Sequence, residues 1–207
     1  MSSMNEEFKF IIEKVSALYL QYGIKSVTMD DVARELGISK KTLYKYVENK
    51  IELVSHFVDY ILEQRLCTVQ EIQKEKHNAI EELFKVNEYV IEMLRNYNPS
   101  MEYDLRKYYP QQYEKVRKHR RTNMYQAVLA NIKKGKKEGL FRSELNEDII
   151  SRVHVSRIEN SFANEMFSIE ELTSKEFITE MMEYHIRGIA SKKGIEFFEN
   201  KVKEFKK

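Results

Sequence analysis

The sequence predicts an all-α protein, and three observations support that prediction. The 207-residue chain contains only six glycines and two prolines, so the residues that interrupt helices are scarce. Lys, Glu, Leu, Ile and Met, which are all favourable in helices, are abundant. In the N-terminal segment, apolar residues recur at intervals of three and four, which is the spacing of one helix face.

Two helices are predicted at the start of the chain, and each has recognisable signals at its ends. The apolar residues from Phe8 to Tyr22 share one face of a helix that ends at Gly23. Thr28 caps the second helix, because Asp31 stands three residues later and can complete a capping box. Gly37 ends this second helix.

The next two predicted helices differ greatly in length. Ser39 caps a very short third helix, in which Leu43 faces the core. Asn49 and Glu52 form another predicted capping box. That box opens a long fourth helix, which runs from about Lys50 to His77.

The C-terminal three quarters of the chain have a looser apolar pattern, but they also predict helices. These cover residues 79–97, 111–134, 147–166 and 175–190, and a last helix follows Ser191. A short piece of chain lies between Pro99 and Pro110, and residues 133–148 are predicted to form a loop because they contain two glycines. The predicted domains are residues 1–52 and 53–207. Their boundary falls inside the fourth helix, so no flexible linker is expected.

Composition and motifs argue against a catalytic, metal or cofactor site. Cys67 is the single cysteine, and the five histidines do not have the spacing of metal ligands. The sequence contains no glycine-rich nucleotide-binding motif and no nucleophile motif. We therefore expect no enzyme activity, no metal and no cofactor. An enzyme would require a polar cluster with perturbed titration in a cleft.

The location expected from the sequence is a reducing cytoplasm. The N-terminus lacks the basic and then apolar order of a signal peptide. No apolar run reaches the roughly 18 residues that a membrane span needs. The formal net charge is only +2, so an argument for nucleic-acid binding must rest on a local cluster of charge.

Such a cluster follows a helix-turn-helix pattern in "DDVARELGISKKTLYKYVENK". Small Ala33 permits close helix crossing, Gly37 makes the turn, and apolar Leu43 holds the second helix in place. In this motif the N-terminal end of the second helix leads into the major groove of DNA. Here that end carries lysines, which the helix dipole disfavours by roughly 0.3–1 kcal/mol each. Phosphate contacts would compensate for that cost.

A family resemblance is carried by "SVTMDDVARELGISKKTLYKYVENKIELV" and most specifically by "GISKKTLYKYVENK". The segment resembles the DNA-binding domain of the tetracycline-repressor (TetR) family, and the resemblance extends from about Glu6 to Phe57. Two positions depart from the family pattern. Lys41 stands where a small residue is frequent, and Val47 stands where an aromatic residue is usual. The first departure could add a DNA contact, whereas the second should alter only packing.

The resemblance implies an all-α regulator with an N-terminal three-helix helix-turn-helix domain and a larger C-terminal ligand-binding and dimerisation domain. The implied partners are a palindromic double-stranded DNA operator, a second copy of the chain and a small apolar or amphipathic effector that releases a repressor from DNA. The alternative is a protein of the same fold without a small ligand, controlled by a protein partner or acting architecturally. The residues implied at the DNA are Thr28, Ser39, Lys40, Lys41, Thr42, Tyr44, Lys45, Tyr46 and Lys50.

Aromatic residues and methionines of the C-terminal part could line an effector cavity, although most such residues belong to a core by default. The candidates are Met93, Tyr97, Tyr103, Tyr109, Tyr113, Met124, Tyr125 and Phe162.

The last two long helices are expected to form the dimer interface, because they carry more apolar surface than a monomer needs. The residues that supply this surface are Ile150, Val153, Phe162, Phe177, Ile178, Met181, Met182 and Ile189.

Two further basic runs have open interpretations. "RKYYPQQYEKVRKHRR", from Arg106 to Arg121, combines basic residues with tyrosines. It could be a second nucleic-acid surface, a site for an anionic ligand, or the solvated face of a long helix. "KKGKK", from Lys133 to Lys137, is interpreted as part of a solvated loop.

Overall fold

The computed structural model describes the backbone of residues 6–95, 98–163 and 166–205. These residues form no β-strand and contain one isolated bridge, between Phe141 and Ala190. The predicted all-α fold is therefore confirmed. The helices are α1 (Glu6–Tyr22), α2 (Met29–Glu35), α3 (Lys40–Leu43), α4 (Lys50–Lys74), α5 (Ala79–Arg95), α6 (Pro99–Tyr108), α7 (Pro110–Lys137), α8 (Glu147–Ala163), α9 (Ile169–Leu172), α10 (Lys175–Ile189) and α11 (Lys192–Phe205).

The helices pack into two compact units. Unit 1 consists of Met1–Cys67 and Tyr97–Arg120, and unit 2 consists of Thr68–Asn96 and Arg121–Lys207. Helices α4 and α7 contribute residues to both units. The domain boundary predicted at residue 52 falls within α4 and stays a prediction.

The core of unit 1 brings together buried apolar residues of α1, α2, α3, α4 and α6, and residues of α7 pack against it. Burying such residues is the main favourable contribution to folding. Tyr19 of α1 and Phe57 of α4 meet edge to face, with ring centroids 5.1 Å apart. The other fully enclosed members of this core include Ile12, Val15, Ile24, Val32, Leu43, Leu53 and Val54, and α6 adds Met101 and Leu105.

The ends of α1 and α2 follow their predicted signals. Helix α1 ends at Tyr22, and Gly23 takes a φ of +82°, a conformation that favours glycine. Helix α2 begins after Thr28, which forms the complete capping box with Asp31. These ends could be predicted because the residues that determine them are neighbours in sequence.

The core of unit 2 is built around Ile80 and Phe84 of α5, Ile186 of α10 and Phe198 of α11. A buried polar group lies beside it. The carboxylate of Glu82, 3% exposed, accepts hydrogen bonds from Asn131 at 3.0 Å and from Lys134 at 2.6 Å. These partners satisfy a charge that would otherwise be costly to bury.

The predicted loop over residues 133–148 is wrong in its first part, because α7 continues to Lys137. Gly135 lies within the helix and against the ring of Phe141, where an added Cβ would stand 2.1 Å from Cδ2. The glycine therefore permits close packing rather than ending the helix. The residue that follows the helix end in the left-handed conformation is Gly139, with a φ of +70°.

Other boundaries differ by a few residues. Helix α4 ends at Lys74 rather than His77, and the short helix α9 was not predicted. The last helix begins after Ser191, as predicted, and Ser191 Oγ accepts a hydrogen bond from the Gly194 amide at 3.2 Å. Within the described residues, no helix combines the length and the apolar character that crossing a membrane requires.

Candidate nucleic-acid interface

The turn between α2 and α3 has the geometry that the helix-turn-helix spacing predicts. Ala33 and Leu43 are both buried, at 4% and 0% exposure. Gly37 has a φ of +65°, and nothing lies within 4 Å of a Cβ added there. Its role is therefore conformational, because the turn requires a positive φ and the surrounding space is open.

Both hydrogen-bond donors of Thr28 are directed to Asp31. The Thr28 amide donates to Asp31 Oδ2 at 2.9 Å, and the hydroxyl donates to the same oxygen at 2.7 Å. These bonds lower the pKa of the Asp31 carboxyl. The predicted phosphate contact by Thr28 would therefore require its hydroxyl to turn away from Asp31.

The N-terminus of α3 is capped by Ser39. Its Oγ accepts a hydrogen bond from the Thr42 amide at 3.0 Å and lies 2.8 Å from Thr42 Oγ1. The two hydroxyls that were predicted to meet DNA thus lie together at the leading end of the helix. One hydroxyl proton lies between these two oxygens, so a phosphate placed there would meet the one remaining hydroxyl donor.

The three lysines of this region differ in their surroundings. Lys41 and Lys45 are exposed. Lys40 is exposed as well, but its Nζ lies 2.9 Å from Asp30 Oδ2. The hydrogen bond from Lys40 to Asp30 raises the lysine pKa. Asp30 thus orients Lys40 and offsets part of the charge that it would present to DNA.

The two tyrosines after α3 also differ. The Tyr46 ring stacks on Phe8, with centroids 5.6 Å apart and planes 4° from parallel. A hydrogen bond to the Glu7 carboxylate raises the pKa of Tyr46. Tyr44, in contrast, is 42% exposed. Of the two predicted contacts, Tyr44 is therefore the better placed to reach a phosphate or a base.

Lys50, at the start of α4, is directed towards the α1–α2 connection. Its Nζ donates to the Lys25 carbonyl oxygen at 3.3 Å. Partial burial lowers the pKa of Lys50, while the nearby carboxylates of Asp104 and Asp31 oppose this shift. A backbone contact by Lys50 would require the amine to swing out of this position.

Several residues of this region carry no local sequence signal. Asp104 of α6 is buried and accepts a hydrogen bond from the Lys25 amide at 2.7 Å. Lys25 Nζ donates to the Tyr108 hydroxyl at 2.6 Å. These partners are 79 and 83 residues apart in the chain, so no local pattern could have revealed them.

The candidate effector residues are divided between the two units. Tyr109 is buried in the core of unit 1, Tyr113 packs against that core, and Tyr103 is exposed. Met93, Met124 and Tyr125 belong to unit 2, where the Tyr125 hydroxyl donates to Asp148 at 2.8 Å. Tyr97 lies outside the described residues, and so does the Phe162 side chain.

Two pockets of the described residues contain none of these candidates, so the effector site stays a prediction. One pocket, in unit 1, has Leu18, Tyr22, Ser26, Val27, Asp31, Arg34 and Glu35 as its lining. The other, in unit 2, has Arg142, Ala190, Ser191, Lys192, Ile195 and Glu196. No group of three or more potential metal ligands occurs in the part of the chain that the structure describes.

Comparison with protein families identifies the segment that holds this interface. Residues 11–57 match the model of the tetR family of bacterial regulatory proteins. The N-terminal domain is that of the tetR family. This family comprises DNA-binding regulators rather than enzymes, which agrees with the resemblance seen in the sequence.

Solved structures show that the TetR-like fold extends over nearly the whole chain. A transcriptional regulator from Cytophaga hutchinsonii ATCC 33406 superimposes with a TM-score of 0.75 at 16% identity, covering 90% of this chain and 100% of that one. A TetR-family regulator from Cytophaga hutchinsonii superimposes with a TM-score of 0.70 at 18% identity, covering 93% of this chain and 98% of that one. FadR from Bacillus subtilis, in complex with stearoyl-CoA, superimposes with a TM-score of 0.60 at 16% identity, covering 88% of this chain and 99% of that one. A search of curated protein sequences found no match.

Proposed function

We propose that this TetR-family protein is a transcriptional repressor that binds a palindromic operator as a homodimer and is released by a small effector. The observation that carries the proposal is the exposed edge of the helix-turn-helix, formed by Lys41, Tyr44 and Lys45. Leu43 is fully buried between them, so the core fixes the helix while its polar residues remain accessible. Lysines can meet phosphates and base edges in the major groove.

A dimer is proposed because one recognition helix covers only a few base pairs. In unit 2, α8 and α10 lie side by side, with the His154 and His185 rings 3.8 Å apart. Val153 and Tyr184 of this helix pair are 59% and 72% exposed. Exposed apolar residues on neighbouring helices are suited to burial against a second copy.

The interface residues proposed here differ in part from those predicted from sequence. Met182 and Ile189 lie in the core of unit 2, so they are not available to a partner. Ile149 is 51% exposed and belongs instead to the proposed dimer surface, although the sequence pattern did not single it out.

Release by an apolar or amphipathic effector is supported by one solved structure of similar fold. FadR was crystallised with stearoyl-CoA, which has a long apolar chain and a polar head. For this chain, the effector would have to bind the DNA-free form better, and a hundredfold preference corresponds to about 2.7 kcal/mol. The proposed location of the protein is the cytoplasm, as expected from the sequence.

The second candidate function is a regulator of the same fold without a small ligand. One pocket in each unit has a lining that includes none of the candidate effector residues. Under this alternative, a protein partner would control the DNA-bound state. A screen in which no small molecule changes operator affinity, while a purified protein partner does, would favour it.

Selection of DNA from a random duplex pool tests the main proposal. The selected sequences should contain an inverted repeat with half-sites about one or two helical turns apart. Lys45→Gln should weaken binding to the selected duplex. Lys85→Gln is the control, because it removes one exposed lysine of unit 2 that pairs with Glu88. A pool that yields no enriched repeat, or equal effects of the two changes, would contradict the proposal.

A further inference from the structure

Two lysines and two tyrosines form a cluster on the surface of unit 1. Lys25 Nζ donates to the Tyr108 hydroxyl at 2.6 Å and lies 3.9 Å from the centre of the Tyr108 ring. Lys107 Nζ donates to the Tyr103 hydroxyl at 2.7 Å and lies 5.4 Å from the Tyr108 ring centre. These four residues are called the Lys–Tyr cluster. All four are exposed.

The cluster differs chemically from an ordinary surface ion pair. Lys40 and Lys85 are held by carboxylates, at 2.9 and 3.0 Å, which offset their charge. The Nζ atoms of Lys25 and Lys107 are instead held by neutral phenols. A hydroxyl that accepts a hydrogen bond from lysine still has its own proton to donate. Each pair can therefore offer an ammonium and a phenol donor to one anion.

Electrostatics strengthen both donors. The hydrogen bond from Lys25 lowers the pKa of Tyr108, which makes its hydroxyl a better donor. The hydrogen bond to Tyr103 raises the pKa of Lys107, which keeps its amine charged. Asp104, the carboxylate next to the cluster, is buried and accepts from the Lys25 amide. Its carboxylate therefore bonds to the backbone of Lys25, whereas the two amines bond to phenols.

The cluster is continuous with the candidate DNA interface. Lys25 lies three residues before Thr28, and its carbonyl oxygen accepts the hydrogen bond from Lys50. Tyr108 and Lys107 fall at the start of the basic run from Arg106 to Arg121. The fold thus places the beginning of that run beside residues of the DNA-binding segment, although they are far apart in sequence.

We propose that the Lys–Tyr cluster binds the phosphate backbone of the operator duplex, so that α6 forms part of the DNA interface. This inference rests on the proposed function, because it concerns the same duplex. The contacts are sequence-independent, since phosphates carry no base information. The cluster therefore contributes affinity and positioning, while α3 and the residues after it contribute specificity.

The test compares Lys25→Gln and Lys107→Gln in the full-length dimer, with a duplex selected by the wild-type protein and with an unrelated duplex. Each lysine that binds a phosphate contributes about 0.9 to the slope of log affinity against log salt, so a change in both protomers should reduce the slope by about 1.8. Binding should weaken by about fivefold or more, to a similar extent on both duplexes. Tyr108→Phe, which removes one donor but no charge, should weaken binding while leaving the slope nearly unchanged.

Controls separate this inference from a folding defect and from the proposed function. Lys107→Arg should restore the slope, because the charge is kept, and Lys85→Gln should leave it unchanged. Unfolding temperatures close to wild type are expected for the glutamine variants, because the changed side chains are exposed. If Lys45→Gln weakens operator binding but Lys25→Gln and Lys107→Gln do not change the slope, the cluster proposal is overturned and the proposed function stands. If the wild-type protein shows no salt-dependent binding to any duplex, the cluster proposal and the proposed function are both overturned.

Discussion

Gly135 allows a sharp test of the packing in unit 2. A Cβ added there would lie 2.1, 2.3 and 2.6 Å from three atoms of the Phe141 ring. Ordinary contact begins near 3.4 Å, so the closest atom is too near by 3.4 − 2.1 = 1.3 Å. Phe141 is only 2% exposed, and its ring cannot move aside into solvent.

The opposing effects of Gly135→Ala can be compared in magnitude. Alanine is favoured over glycine inside a helix by about 1 kcal/mol. Overpacking in a dense core costs about 1–3 kcal/mol, and three close ring atoms place this site at the upper end. A net loss of about 2 kcal/mol is expected, which corresponds to about 4–8 °C in unfolding temperature for a chain of this size.

Thermal unfolding followed by helical circular dichroism would measure this effect, and Gly188→Ala supplies the matched control. Gly188 is also inside a helix, α10, but nothing lies within 4 Å of an added Cβ. Gly188→Ala should therefore stabilise the protein by up to about 1 kcal/mol and raise its unfolding temperature. Adding Phe141→Leu to Gly135→Ala should recover part of the loss. Equal stabilisation by Gly135→Ala and Gly188→Ala would show that Gly135 is not packed closely against the Phe141 ring.

Three further predictions concern charge and hydrogen bonding. Asp30→Asn should raise DNA affinity in a binding titration, because it removes a carboxylate that pairs with a lysine of α3. Tyr44→Phe should weaken DNA binding more than Tyr46→Phe, because the Tyr46 hydroxyl is already bonded to the Glu7 carboxylate. Burial holds the pKa of His154 at about 2 and that of His185 at about 3. Stability measured by denaturant should therefore be complete above about pH 6.5 and fall below it, by about 1 kcal/mol per histidine per pH unit, because the unfolded chain binds protons first.

Each of these predictions has a result that would contradict it. Unchanged or weaker DNA binding by Asp30→Asn would show that the carboxylate does not oppose the phosphates. An equal loss for both tyrosine changes would remove the distinction between them. A double change of His154 and His185 to Gln should flatten the decline in stability between about pH 6.5 and pH 5. If the decline keeps the wild-type slope in that variant, the histidines are not its cause.

The signals that could be read from sequence were those carried by neighbouring residues. Thr28 with Asp31 and Ser39 with Thr42 form caps within four residues of chain, so their residue types alone predict the helix starts. The turn at Gly37 is equally local, since it depends on one positive φ between two short helices. For this reason the helix-turn-helix was predicted almost residue by residue.

The features that the sequence could not give depend on contacts between distant residues. Gly135 was interpreted as a helix breaker because its partner, Phe141, becomes visible only when the chain folds back. The periodic spacing of apolar residues likewise does not distinguish residues of a unit's own core from residues of a dimer surface. Met182 was therefore assigned to an interface although it is buried. The contact between Lys25 and Asp104 joins residues 79 positions apart and has no counterpart in local sequence.

The salt dependence of operator affinity tests the central claim most directly. The claim is that α3 and the residues after it place Lys41 and Lys45 against DNA. Affinity for the selected duplex should be measured from about 50 to 200 mM salt for wild type, for Lys41→Gln with Lys45→Gln, and for Lys85→Gln. Losing two phosphate contacts in each protomer should reduce the slope by about 3.6, at about 0.9 per contact. A wild-type slope and affinity in the double variant would contradict the account.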